Sequence, residues 1–219
     1  MENKKKSLWQ FFQMLGKTFM FPIALLSVCG MLLGIGSAFT NSSLIEAVPL
    51  LGNPVLQKIF SFMTTLGLFA FNNLGVLFAM AIPLGLLKEE KEFGAFTGLV
   101  SFMAMHIGTN FYLTITDQLA AADKMTEAGQ GMILGIQTYN TSVLGGIIAG
   151  LMVFWLYPKI SKVKIPEALG FYSGPRLAPI AMLVIMGIFG MVAVPLFWQP
   201  FYNFFKMIGE WISTSGPNG

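Results

Sequence analysis

The sequence predicts an all-α polytopic membrane protein with about five transmembrane helices and short interfacial amphipathic helices. Three observations predict this fold class. Of the 219 residues, 55% are hydrophobic and only 11% are charged, whereas a typical soluble domain is about 25% charged. The mean hydropathy is +0.70. The apolar residues gather in long windows free of charge, which lack the alternation expected of barrel strands.

Five charge-free windows define the predicted spans. About 20 apolar residues cross the hydrocarbon region, and an ionised side chain at its centre costs several kcal/mol. We therefore expect one membrane domain of five spans over residues 18–213, an amphipathic N-terminus over 1–17, and a polar loop, cut short, over 214–219. The windows are residues 18–39, 59–87, 93–116, 131–157 and 177–198.

The N-terminal segment is basic and then amphipathic. Phe11, Phe12 and Leu15 recur at helical spacing, which suits a helix lying on the membrane surface before the chain turns inward at Pro22. A longer first transmembrane helix is an equal alternative. The segment lacks a small-residue cleavage site after a short apolar core, so we interpret it as mature sequence.

Basic residues predict the orientation of the spans, because lysine and arginine are enriched in cytoplasmic loops. With the N-terminus cytoplasmic, ten of the thirteen basic residues fall on the inner side. The N-terminus is therefore expected inside. The ten residues are Lys4, Lys5, Lys6, Lys17, Lys88, Lys91, Lys159, Lys162, Lys164 and Arg176, and the other three are Lys58, Lys124 and Lys206.

Glycines four residues apart recur within the predicted spans. Such pairs share one helix face and let a second backbone approach closely, which is how membrane helices gain packing energy. Packing within the chain and a contact between two subunits are both open interpretations. The pairs are Gly30 and Gly34, Gly94 and Gly98, and Gly146 and Gly150, with Gly131 and Gly135 as a fourth.

Four polar side chains inside the windows are candidates for substrate binding: His106, Asn110, Asn72 and Asn73. His106 and Asn110 lie one helical turn apart and so face the same way. A polar group in a membrane span is a functional candidate because of its solvation cost. Structural hydrogen bonding between helices is the competing interpretation.

Several classes of function are disfavoured. The single cysteine, Cys29, lies in an apolar window, where we expect it to be inert. We expect no catalytic centre, no metal site and no cofactor, because the chain has no phosphate-binding, nucleophile or zinc motif. The scattered net charge of +3 does not indicate nucleic acid. No carboxylate lies deep in a window, which weighs against an ion-coupled permease.

The order and spacing of several motifs resemble a known family. The string IPEALGFYSGPRLAPI is similar to a signature of membrane subunits of the bacterial phosphoenolpyruvate-dependent sugar phosphotransferase system. The segments LWQFFQMLGKTFMFPIALLSVCGMLLGIGSAF, LLGNPVLQKIF and MILGIQTYNTSVLGGIIAG resemble the maltose/glucose type of IIC permease in the glucose superfamily. The resemblance runs from Leu8 to Trp211. Leu177 stands where the signature usually has phenylalanine.

The resemblance implies a partial permease. Members are about twice as long, with a five-span first half that forms the dimer interface and scaffold, and a second half that binds the sugar. The chain resembles the first half only, so no sugar-contacting residue can be assigned from the family. The implied partners are the lipid bilayer, a second copy in a homodimer, a cytoplasmic IIB phosphocarrier domain and, for the full-length protein, a sugar. The implied location is the bacterial inner membrane.

Arg176 is the only arginine and follows Gly174 and Pro175. At the cytoplasmic entry of the fifth window it could anchor to lipid phosphate or fix a hinge after the Gly-Pro turn. A direct part in phosphotransfer is the alternative. For the chain as a whole, sugar transport competes with a self-contained membrane interaction protein that dimerises without transport.

Overall fold

A computed structural model describes residues 2–214, with side chains described from Trp9 onward. The described residues are helical apart from one β-hairpin and the loops and turns that connect these elements. The helices are α1 (Glu2–Phe39), α2 (Ser42–Ala47), α3 (Pro54–Asn72), α4 (Leu74–Leu86), α5 (Lys91–Ile115), α6 (Ser142–Ile160) and α7 (Leu177–Thr214). The strands are β1 (Gln130–Ile133) and β2 (Ile136–Tyr139), which pair antiparallel.

The first helix is continuous through Pro22. The predicted surface helix over 1–17 and the first window therefore form one element of 38 residues, which is the longer-helix alternative. The expected turn at Pro22 is wrong, because the helix continues past it without a break.

The second window forms two consecutive helices, α3 and α4. It was predicted as a single span, but α3 ends at Asn72, Asn73 leaves the helical conformation, and α4 begins at Leu74. The two helices follow α1 end to end in the opposite direction, since Gly67 packs on Leu33 near one end and Gly85 packs on Thr18 near the other. The start of α4, which no side chain caps, thus lies inside an apolar stretch of the chain.

Close backbone packing joins α4, α5 and α6. Gly98 of α5 lies against the backbone carbonyl of Ala79, and Gly146 of α6 lies against that of Gly75. Small residues at such crossings let helix backbones touch where lipid supplies no hydrophobic drive. At the far end of this layer, the Tyr157 hydroxyl donates to the Glu90 carboxylate at 3.0 Å.

The fourth window is only partly helical. Its first part forms the hairpin, and α6 begins at Ser142. The prediction of a span over 131–157 is therefore wrong in its first eleven residues, and Gly131 and Gly135 do not share a helix face. Leu134 and Gly135 have φ of 51° and 81°, which fits a two-residue turn of the kind that matches strand twist.

The last helix runs beside α5. Gly108 packs on the carbonyl of Gly187, and the Thr109 hydroxyl donates to the carbonyl of Gly190 at 2.8 Å. Tyr202, past the prolines at 195 and 200 in α7, donates to the Thr126 carbonyl at 2.9 Å. α7 therefore ties the loop before the hairpin to the helical layer.

Within the described residues, four helices are long and apolar enough to cross a membrane. α5 is also long enough at 25 residues, but its polar side chains, among them His106 and Asn110, make it less apolar. The all-α polytopic membrane fold is confirmed, with the two-stranded hairpin as a small addition. The four helices cover Trp9–Phe39, Pro54–Asn72, Ser142–Ile160 and Gly174–Thr214.

Candidate functional site

A polar cavity, which we name the break cleft, lies at the interruption between α3 and α4. It encloses about 330 Å³. Its walls are residues 71–76 of the interruption, Phe102 behind them, residues 132–134 at the hairpin tip, and Asn140 and Ser142. Three separate segments of the chain thus meet around one cavity.

The interruption supplies two amides to the cleft. The Asn73 Nδ2 group donates to the Phe69 carbonyl at 2.8 Å, which leaves its oxygen available. The Asn72 amide is exposed and, among the described residues, has no hydrogen-bond partner. No side chain caps the start of α4, whose first N–H groups have no acceptor within their own helix.

The hairpin side of the cleft is held in an uncommon backbone conformation. Leu134 and Ser142 have φ of 51° and 48°, values that non-glycine residues seldom adopt and that gather at functional positions. Asn140 Oδ1 accepts from the Ser142 N–H at 3.2 Å. Its Nδ2 group has no hydrogen-bond partner among residues 2–214 and could therefore bind a ligand.

His106 and Asn110 do not line the cleft but hold its hairpin wall. His106 is buried, and its Nδ1 lies 3.3 Å from the Thr138 hydroxyl. Asn110 Nδ2 donates to the Gln137 carbonyl at 2.8 Å. The structure thus separates the four candidate side chains into two pairs, with Asn72 and Asn73 at the cavity and His106 and Asn110 behind the hairpin.

The residues that line the break cleft are suited to binding an uncharged molecule. No charged side chain lines it, and within the described residues no group of three potential metal ligands occurs. Amides and hydroxyls both donate and accept hydrogen bonds. The arrangement can therefore bind a neutral polar molecule.

The glycine pairs differ in what they contact. Gly94, Gly98, Gly146 and Gly150 are buried against α4, so their close contacts lie within the chain. Gly30 meets only the edge of the Phe71 ring, at 3.8 Å from an added Cβ. Gly34 is exposed and has no neighbour within 4 Å of such an atom. Of the six, Gly34 is therefore the one open to a second chain.

The Gly174–Arg176 turn forms a compact start to α7. Gly174 has a φ of 69°, in the left-handed region that favours glycine, and Pro175 occupies the first turn. Arg176 donates from Nη1 to the Phe171 carbonyl at 3.2 Å, and its guanidinium lies 4.8 Å from the centre of that residue's ring. Both contacts lie within the turn, and the role of Arg176 as a hinge or membrane anchor stays a prediction.

We expect Arg176→Lys to be mild and Arg176→Glu to be severe. Lysine keeps the positive charge for the ring and for lipid phosphate, whereas glutamate repels both the ring face and the carbonyl. The measurement is the yield of monodisperse protein after solubilisation. A glutamate variant with wild-type yield would show that neither contact matters to assembly.

Comparison with known proteins shows to which family the chain belongs. The family model described as "Phosphotransferase system, EIIC" matches residues 16–219. The chain belongs to this family. The EIIC chain is also 43% identical over 217 residues to the "PTS system maltose-specific EIICB component" of Escherichia coli strain K12. That match covers 98% of the chain and 41% of the relative, so the chain spans about two fifths of the relative's length.

Two of the four polar residues that line the break cleft of this EIIC chain were predicted from the sequence. Asn72 and Asn73 stood out as an amide pair inside an apolar window. Asn140 and Ser142 were missed, because they lie in a window read as one helix. A signal was present, since the Asn-Thr-Ser run at 140–142 contains residue types that favour turns and helix starts over helix interiors.

Proposed function

We propose that this EIIC chain is the scaffold half of a sugar permease of the phosphotransferase system, of the maltose/glucose type. The observation that carries the proposal is the 43% identity to a maltose-specific EIICB component, which extends over 98% of the chain without being confined to one motif. In this proposal the chain positions a sugar-binding second half, and phosphorylation belongs to the IIB partner.

The packing supports a scaffold role. α4, α5, α6 and α7 meet through glycine contacts at backbone distance, and α5 and α7 share the buried Thr109 hydrogen bond. Interfaces of this kind move little, because close-packed backbones cannot slide without clashes. A rigid layer is what a moving transport domain would need as its support.

We expect the 219-residue chain alone to show no phosphoenolpyruvate-dependent uptake of maltose or glucose. The same chain joined to the second half of the maltose-specific relative and its B domain should show saturable uptake. The measurement is accumulation of radiolabelled sugar phosphate in liposomes that enclose the general phosphotransferase proteins.

Two outcomes would count against the proposal. Saturable phosphorylating uptake by the chain alone would show that it is more than a scaffold. A folded fusion that takes up neither sugar would favour the interaction protein without transport, provided that the relative itself is active in the same liposomes.

We propose two protein partners for the chain, a IIB domain and a second copy of the chain. The relative is named an EIICB component, which supports a cytoplasmic IIB domain as the partner of this chain. A homodimer is proposed through the exposed α1 face that includes Gly34. The mass of the solubilised particle tests the dimer, and a monomer at micromolar concentration would oppose it.

We expect the N-terminus to lie on the cytoplasmic side, because ten of thirteen basic residues then lie inside. Ser43, in α2, should face outward, and Ser161, at the end of α6, should face inward. An impermeant thiol reagent added to intact cells should therefore label Ser43→Cys and not Ser161→Cys. The opposite labelling would reverse the orientation, and labelling of both in permeabilised cells is the control.

A further inference from the structure

We propose that the break cleft of this scaffold half is a carbohydrate-binding site. The ligand class is a neutral molecule rich in hydroxyl groups, held by Asn72, Asn73 and Asn140 at the interruption between α3 and α4. The choice of sugar as the ligand rests on the proposed function. The location of the site rests on the cavity itself.

The charge of the lining selects a neutral ligand. The cleft has no lysine, arginine, aspartate or glutamate in its wall, so a phosphate or a metal ion would find no opposite charge. Burying an ion without such a partner costs far more than burying a hydroxyl group that is hydrogen-bonded. A sugar carries no charge and presents many hydroxyl groups.

The hydrogen-bonding capacity of the cleft is largely unused. Asn72 has no partner among the described residues, Asn73 keeps its oxygen, and Asn140 keeps its Nδ2 group. The uncapped first turn of α4 adds N–H donors. A hydroxyl group both donates and accepts, so adjacent hydroxyls can bond to one amide through both of its ends. This complementarity favours a polyol over an apolar ligand.

Size and shape also fit. The cavity of about 330 Å³ lies at the lower end of the range of small-molecule sites, about 300 to 1,000 Å³. Phe71 lies in the wall and is exposed, which suits the apolar C–H face of a sugar ring. The mixture of aromatic surface and a few convergent polar groups is typical of small-molecule sites.

The cleft lies along the path of α3 and α4, between the two ends of that path. α4 extends 13 residues from the interruption to Leu86, or about 20 Å at the helical rise, and α3 extends 19 residues in the other direction, or about 28 Å. The two helices together are longer than the hydrocarbon core, which is about 30 Å thick. Interrupted helices with non-helical backbone occur in membranes where that backbone lines a cavity.

The test is direct binding of maltose to the 219-residue chain in phosphatidylcholine nanodiscs. Saturation-transfer NMR should give a saturable maltose signal. Asn72→Leu keeps the approximate volume and should weaken affinity about fivefold for each hydrogen bond lost. Asn203→Leu, on α7 and away from the cleft, is the matched control and should bind as wild type.

A second variant tests the site without changing Asn72, so that a folding defect caused by Asn72→Leu is not mistaken for loss of binding. Met132→Trp places bulk at the hairpin tip, where Met132 is 55% exposed, and removes no hydrogen bond. It should abolish maltose binding while the thermal midpoint stays unchanged. Glucose 6-phosphate should bind less well than glucose, because no cation faces the cleft.

Absence of a saturable maltose signal, or equal binding by Asn72→Leu, Met132→Trp and wild type, overturns the site. Failure of the site and failure of the proposed function are separable. Phosphorylating uptake by the fusion without maltose binding to the 219-residue chain removes the site alone. Binding to the chain without uptake by the fusion removes the transport function and leaves the site.

Discussion

Gly98→Val should leave little folded protein. Gly98 is buried where α5 crosses α4, and a Cβ atom at this position would meet the carbonyl oxygen of Ala79. Because that neighbour is backbone, the clash cannot be relieved by a rotamer change. Overpacking of a close-packed core costs about 1 to 3 kcal/mol, and we expect the upper part of this range. The measurement is the fraction of monodisperse protein, with the thermal midpoint of what remains.

Gly34→Val is the matched control within the same set of predicted packing glycines. It lies in α1 with nothing within 4 Å of an added Cβ, so folding should change by less than about 0.5 kcal/mol. Equal damage from the two substitutions would contradict the packing of α5 on α4. Loss of the dimer with an intact fold in Gly34→Val would support the α1 face as the subunit contact.

The double variant His106→Leu, Asn110→Leu should release the hairpin from α5. The two side chains hold β2 through Thr138 and the Gln137 carbonyl. At about 1 kcal/mol for each hydrogen bond, the loss amounts to about 2 kcal/mol. Hairpin amides should then exchange with deuterium about 30-fold faster. The measurement is hydrogen exchange of a peptide covering residues 130–139 in nanodiscs.

Thr114→Val provides the control for the hairpin experiment. Its hydroxyl donates only to the Asn110 carbonyl in its own helix, at 2.8 Å. We expect exchange of the hairpin amides to be unchanged in this variant. If the double variant also leaves hairpin exchange at the wild-type rate, the hairpin is held by other contacts, and His106 and Asn110 have a different purpose.

Hydropathy predicted the spans well where one helix fills one window. The windows at 18–39, 93–116 and 177–198 each lie within or nearly within a single helix. Their boundaries were less accurate, since α1 and α7 each run to 38 residues. A window of apolar residues shows where the chain is insoluble in water, and it does not show where a helix starts.

The two interrupted windows show why the remainder was not predictable. Apolar composition is continuous across Asn73, and the break depends on how α4 packs on α5 and α6. The hairpin has neither Asn-Gly nor Asp-Gly at its turn but Leu134-Gly135. Without the usual turn residues, short apolar strands cannot be distinguished from helix by composition.

Only some of the residues at the candidate site could be predicted from the sequence, for the same reason. Amides inside an apolar window are conspicuous, so Asn72, Asn73 and Asn110 could be named from the sequence. Which of them share a cavity depends on the direction in which the hairpin folds back. That direction is fixed by contacts between residues distant in the chain, such as Asn110 with Gln137, and it cannot be deduced from spacing.

The buried hydrogen bond between Thr109 and Gly190 has a consequence for biogenesis. Its two partners are 81 residues apart in the chain, and at about 5 to 20 residues per second a ribosome needs about 4 to 16 s to make that interval. During this time α4, α5 and α6 can already associate, while the α5 surface around Gly108 faces lipid or the insertion machinery. α7 is therefore the helix that closes the bundle, and a nascent chain halted before residue 190 presents an unfilled α5 surface to the membrane.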